Sequence, residues 1–155
     1  MAQIISSEDF DPIYTRVVDT ALRVLGYAGN AIVELESVDE EEIRRLNREY
    51  RGKDKVTDVL SFGYLTNISS NKTLSRNNYP NEYIDELGGI MLGSIIICPS
   101  VVDKQATEYG NTSSYERLYL FVHGVLHLLG YDHELEADRR EMRRVEKEIL
   151  EKINE

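Results

Sequence analysis

At 155 residues and 17.8 kDa, the chain has the length of one ordinary domain, and 41% hydrophobic with 30% charged residues is the composition of a folded globular protein rather than a disordered or fibrous one. No apolar run reaches the roughly 18 residues needed to span a bilayer, and the start MAQIISSEDF has neither a basic nor a long apolar segment, so nothing directs export. Eighteen Lys and Arg against 28 Asp and Glu leave a formal charge of −10, the wrong sign for a protein that coats itself in nucleic acid, so any such role needs a local basic site.

In chain order, Asp11 followed by Pro12 starts a helix, with Tyr14, Val17, Val18, Ala21, Leu22 and Leu25 at helical spacing and Gly26 closing it. AIVELES alternates Val33 and Leu35 against Glu34 and Glu36, the pattern of a strand with one solvated face. Asp39 with Glu42 forms a capping box for a second helix, whose apolar stripe is Ile43, Leu46 and Tyr50 and whose end is Gly52. Val59 to Phe62 and Ile95 to Cys98 have strand character, and the latter opens at Pro99 into a helix ending at Gly110. Between Phe62 and Gly93 the chain is rich in Asn and Ser without a sustained apolar period, which reads as a long mobile loop, either a lid or a tolerated insertion.

Ser113 and Glu116 make a second capping-box pattern, after which YERLYLFVHGVLHLL is apolar nearly all round, as in a helix buried in the middle of a domain. Beyond Gly130, a last helix places Leu135, Met142, Val145, Ile149 and Ile153 on one side and interleaved charges on the other. The single cysteine, Cys98, excludes an internal disulfide and reads as core packing in a reducing compartment. Glycosylation-type triplets begin at Asn67, Asn71 and Asn111, and with no secretory signal they read as empty matches.

All three histidines fall within HGVLHLLGYDH, residues 123 to 133. His123 and His127 are four apart on the buried helix, so they project from one face one turn apart. Gly130 can end the helix and turn the chain back, bringing His133 to the same point. Three neutral imidazoles suit a borderline transition ion, most often zinc, and leave a position open for water, as in catalytic rather than structural sites. The spacing and the glycine match the HExxHxxGxxH motif of one class of zinc peptidases, but Gly124 stands where those enzymes carry their general base, so peptide hydrolysis is disfavoured.

HGVLHLLGYDH resembles the signature of the YbeY family of bacterial endoribonucleases, and LNREYRGKDKVTDVLSF, from Leu46 to Phe62, resembles that family's other hallmark segment. The resemblance extends over Gly93 to Gly110 and Met142 to Glu146. It implies an α/β fold of α+β type, a small mixed β-sheet flanked by helices with a zincin-like metal-site helix, as one domain over residues 1–155. It also implies a zinc-dependent endoribonuclease in the cytoplasm that cuts single-stranded rRNA in ribosome maturation and quality control, notably at the 3′ end of the small-subunit RNA. Its partners would then be that RNA and the small ribosomal subunit, with no membrane and no DNA.

Residue by residue, the resemblance implies that His123, His127 and His133 hold one Zn2+ and that Arg51, together with His123, is catalytic. Two positions depart from the family's usual pattern: Gly63 stands in place of a proline, and Ser94 in place of an aspartate. Independently of the family, zinc lowers the pKa of bound water toward 7 and offsets phosphoryl charge, while the planar guanidinium of Arg51 suits a phosphate and Lys53 and Lys55 add positive potential. Asp54 and Asp58, like Asp132 and Glu134, either orient histidines or cap turns, and Tyr131 either stacks on a base or packs inside. Beside the nuclease stand two other readings, a ribosome-assembly module with a structural ion and a metal hydrolase acting on another phosphoester or a peptide.

Overall fold

The alternation in AIVELES becomes strand β3 (Ala31–Ser37), which lies at the heart of a five-stranded sheet in a computed structural model that describes residues 2–132 and 134–154. β1 (Ala2–Ile5) runs parallel to β3 on one side, and β7 (Gly89–Ile97) runs parallel to it on the other. The far edge of β7 pairs antiparallel with β4 (Val59–Gly63) along its C-terminal half and with β6 (Tyr83–Ile84) at its start. A register shift between Ile32 and Val33 leaves Leu92 as an extra residue on β7. At the next position the chains come very close: a Cβ on Gly93 would sit 2.1 Å from the Phe62 carbonyl oxygen, and 2.8 Å from Leu128 Cδ2.

Helices cover both faces. Val33, Leu35, Ile95 and Ile97 join the main core with α1 (Ile13–Leu25), α4 (Ser113–Leu128) and α5 (Glu136–Ile153), where Phe121 meets Tyr14 edge to face at 5.0 Å. On the other face a smaller cluster joins Leu60, Phe62, Ile96 and Cys98 to Ile43 and Leu46 of α2 (Glu40–Arg51) and Val101 of α3 (Pro99–Tyr109). Cys98 is a buried free thiol, in keeping with its apolar run.

The helix punctuation follows local chemistry. Asp39 accepts from the Glu42 N–H at 2.8 Å, a cap worth about 1 kcal/mol, and Gly26, Gly52 and Gly110 close α1, α2 and α3 in the left-handed conformation. Three details differ from the sequence reading. The cap of α4 is Thr112, accepting from Tyr115 at 3.1 Å, one residue before the expected Ser113. Tyr50 and Leu135 are exposed (62% and 67%), outside the stripes in which they were counted; in α2 the residue buried beside Ile43 is Asn47, whose Nδ2 donates to the Lys55 carbonyl. β1 was not read from the sequence: its four residues are too short to show a period.

The polar stretch after Phe62 is not a loose loop. It holds a 3-10 turn (Ile68–Ser70), β5 (Thr73–Leu74) paired in parallel with β2 (Ala28–Gly29), and then β6 and the start of β7. Ile68, Leu74 and Tyr79 are buried in the main core, and the Tyr79 hydroxyl donates to the Asn71 carbonyl at 2.6 Å. These anchors are six and five residues apart, which matches neither a helix nor a strand, so the periodicity reading could not see them. No helix among the described residues is long and apolar enough to cross a membrane.

Candidate metal and phosphate site

The apolar surround of α4 places His123 and His127 where the helix spacing requires, on one face, with ring centroids 4.6 Å apart. Their Nε2 atoms face each other at 3.0 Å. Each ring is fixed from behind. His123 Nδ1 lies 2.5 Å from the Glu146 carboxylate, and His127 Nδ1 lies 2.9 Å from the Tyr131 carbonyl. Both partners are acceptors, so the neutral rings carry their protons on Nδ1 and turn Nε2 lone pairs toward one point. Two lone pairs at this separation repel unless a cation stands between them, and two nitrogens bound to a tetrahedral zinc stand about 3.3 Å apart, so the pair fits such an ion. His133 lies outside the described residues. Among those described, no three His, Cys, Asp or Glu side chains converge as a metal cage.

Glu146, which holds His123, is a candidate site residue that the sequence reading did not single out. It is 3% exposed, and its second oxygen accepts from the Tyr119 hydroxyl at 3.2 Å. The signal was present: position 146 falls inside the apolar stripe of Met142, Val145 and Ile149, where a carboxylate is out of place unless it serves another group. Burial, and then the Glu146 charge and hydrogen bond, push the Tyr119 phenol up to about 12.

Glycine at 124 has a packing reason. A Cβ there would lie 2.9 Å from Ser61 Oγ and 3.1 Å from Ile95 Cδ1, so its absence lets α4 lie close on β4 and β7. Ser61 in turn receives Arg51: its backbone carbonyl accepts from the guanidinium, which also stands 5.2 Å over the Phe62 ring. Arg51 and the residue beside His123 therefore meet at a single residue of an edge strand.

The remaining candidates resolve separately. Asp54 is bound to Arg44 at 2.9 Å and lies 3.5 Å from Arg48, and the Arg44 hydrogen bond holds its carboxyl below the usual range. Asp58 accepts from the Val59 N–H at 2.7 Å, a local cap at the start of β4. Neither carboxylate orients a described histidine through these bonds. Asp132 and Glu134 are exposed on either side of His133. Tyr131 packs half-buried against the main core, and its carbonyl holds His127. Ser94, at the position of the family's aspartate, is buried and donates to Glu34 at 2.6 Å, with the Tyr64 hydroxyl bonded to the same oxygen. At Gly63, in the place of the expected proline, a Cβ would lie 3.8 Å from the Leu128 Cα, an ordinary contact.

Comparison with known proteins gives the family and the fold. The family described as Endoribonuclease YbeY matches residues 2–154. The chain is 42% identical over 142 residues to Endoribonuclease YbeY of Pelotomaculum thermopropionicum, covering 92% of this chain and 85% of that one. It is 39% identical over 151 residues to Endoribonuclease YbeY of Desulforamulus reducens, covering 97% and 91%. The solution structure of TM1509 from Thermotoga maritima is similar at a TM-score of 0.60 and 28% identity, over 99% of this chain and 89% of that one. With the sheet, the paired histidines and both hallmark segments in one continuous match, the chain belongs to the endoribonuclease YbeY family.

Proposed function

We propose that the chain is a metal-dependent endoribonuclease that cuts single-stranded RNA, acting in the cytoplasm as one domain over residues 1–155. Its substrate is ribosomal RNA, at the 3′ end of the small-subunit RNA, and its partner is the small ribosomal subunit. The observation that carries the reading is the pair of Nε2 atoms facing each other at 3.0 Å with both Nδ1 atoms already engaged. Family membership favours the nuclease over an assembly module or another hydrolase.

In this reading His123 and His127, with His133, hold one zinc ion on a zincin-like helix. Bound there, zinc supplies a Lewis acid for a phosphoryl oxygen at neutral pH. The protein's own groups do the rest. Glu146 and the Tyr131 carbonyl keep both imidazoles in one tautomer and orientation, which an unsupported ring would lose on each rotation. Arg51 is held by the Ser61 carbonyl and the Phe62 ring, and its remaining N–H groups stay available to clamp a phosphate. Lys53 and Lys55, exposed on the loop that Asn47 fixes, add positive potential beside it.

The test is cleavage of a defined single-stranded ribosomal RNA fragment by zinc-loaded protein beside His127→Ala and Arg51→Ala variants, with folding checked by circular dichroism. Loss in both variants is expected. Undiminished cleavage in both would trace the activity to a contaminating nuclease and overturn the assignment.

A further inference from the structure

Tyr115, Tyr119, His123 and His127 recur every four residues on α4, so they form one stripe, one turn apart, that leads from the exposed start of the helix to the histidine pair. The continuity is physical as well as numerical. The Tyr119 and His123 rings lie 6.5 Å apart at 30°, and both side chains bond the same Glu146 carboxylate. Beyond Tyr119 the stripe opens into a groove of about 350 Å³ between α4 and α5, lined by Tyr115, Tyr119, Arg143, Glu146, Lys147 and Glu151 among others. Tyr115 is 45% exposed, an aromatic face presented to solvent.

The cations of α5 divide into paired and unpaired ones, and among the described residues Arg140 and Lys152, outside the groove, are unpaired as well. Arg139 is paired with Glu136, and Arg144 with Glu141 and Glu148. Among the described residues Arg143 and Lys147 make no ion pair, although Glu151 shares their groove, and Glu146 is turned inward to His123 and Tyr119. Two cations of α5 and two phenol rings of α4 thus line one trough. An exposed ring beside unpaired cations is the combination that binds single-stranded nucleic acid, the ring stacking a base and the cations taking the phosphates on either side.

We propose that this groove is a subsite for single-stranded RNA flanking the cleaved phosphate, with Tyr115 as the stacking platform and Arg143 and Lys147 as phosphate contacts. The inference rests on the endoribonuclease reading and extends it. A strand held at Arg51 on one side of the histidines continues along α4 on the other, so the substrate must be unpaired over several nucleotides. Duplex RNA, whose bases are stacked on each other, has no free face for Tyr115.

The experiment is a fluorescence anisotropy titration of a labelled single-stranded oligoribonucleotide at several salt concentrations, with cleavage kinetics on the same series. Proteins compared are the wild type, Arg143→Ala/Lys147→Ala, Tyr115→Ala, Tyr115→Phe, and Arg76→Ala/Lys104→Ala, which removes two charges elsewhere. The Arg143/Lys147 double variant is expected to lower the slope of log K against log salt by about 1.4, two phosphates at about 0.7 each, with the larger part of its kinetic loss in KM. Tyr115→Ala should weaken binding at least about fivefold, and Tyr115→Phe should restore it. Wild-type binding and salt slope in these variants, or an equal loss in the Arg76/Lys104 control, overturns the subsite while leaving the endoribonuclease reading intact. A wild type that neither binds nor cleaves the oligonucleotide overturns both.

Discussion

The histidine pair and Arg51 stand on either side of Ser61, and the protein holds them by opposite means. On the α4 side the rings are fixed by buried acceptors: Glu146 at 3% exposure and a backbone carbonyl in the turn that follows the helix. On the α2 side Arg51 is exposed, steadied by one carbonyl and the face of Phe62. Its neighbours on α2 are neutralised, Arg45 by Glu42 and Glu49, and Arg44 by Asp54. A metal ligand needs one orientation and one protonation state, which burial and fixed acceptors provide; a phosphate clamp needs uncompensated charge that solvent and substrate can reach. The contrast bears on how a chain of charge −10 can present a local cation: on α2, Glu42, Glu49 and Asp54 sit against Arg45 and Arg44 and not against Arg51.

The comparison can be broken most severely where its two halves join. Gly93→Ala would place a Cβ 2.1 Å from the Phe62 carbonyl oxygen and against Leu128, so it should push β4 off β7 and α4 off both, a cost of about 3 kcal/mol or more, read by chemical denaturation. Because the nearest atom is backbone, no rotamer change relieves it. A variant with wild-type stability would show that these elements are not held at the spacing described.

Glu146→Gln addresses the buried half alone. Removing the charged acceptor behind His123 should weaken zinc binding about 10- to 100-fold in competition with a chromogenic chelator, while Arg51→Ala leaves zinc affinity at the wild-type value. Equal effects of the two substitutions would erase the distinction between the halves. Arg51→Lys addresses the other half. It keeps the charge but loses the planar fork and its bond to Ser61, so cleavage should fall about tenfold, with the salt dependence of RNA binding unchanged.

The smallest effect is optical. Tyr119, held at about 12 by burial and Glu146, binds its proton more tightly folded than unfolded, where a tyrosine titrates near 10. The stability this contributes is present below pH 10 and is lost as the pH rises toward 12. An ultraviolet titration of Tyr119→Phe should lack one late-ionising phenol relative to wild type, and an unchanged count of late-ionising phenols would show that Tyr119 is not held in this way.

Much of this arrangement is legible in the chain because it depends on short-range chemistry. Asp39 caps the second helix through its own Glu42, glycines end three helices, and the four-residue step between His123 and His127 fixes a shared face whatever surrounds it. What escaped reading depends on distant partners. The segment after Phe62 is ordered by Ile68, Leu74 and Tyr79, whose irregular spacing reflects three separate docking points rather than a repeating element. Asp54 offered the same chemistry as a histidine support, and only the fold shows that it belongs to Arg44. Glu146 is the intermediate case, visible as a carboxylate among Met142, Val145 and Ile149 but silent about which ring it meets across the interface with α4.

The four-residue stripe on α4 also constrains how this protein can change over generations. Each residue of an α-helix advances about 100° around the axis, so one residue inserted or deleted between Tyr119 and His127 would rotate everything beyond it off the stripe. Substitutions on the other faces of α4 alter packing by degrees, but a change of length there cannot be taken in small steps. The stretch between Ile68 and Tyr83 is under no such rule, because its anchors are separate points joined by turns, and added residues can bulge outward between them. Variation in length among relatives is therefore expected to concentrate in that stretch and to be absent from the helix.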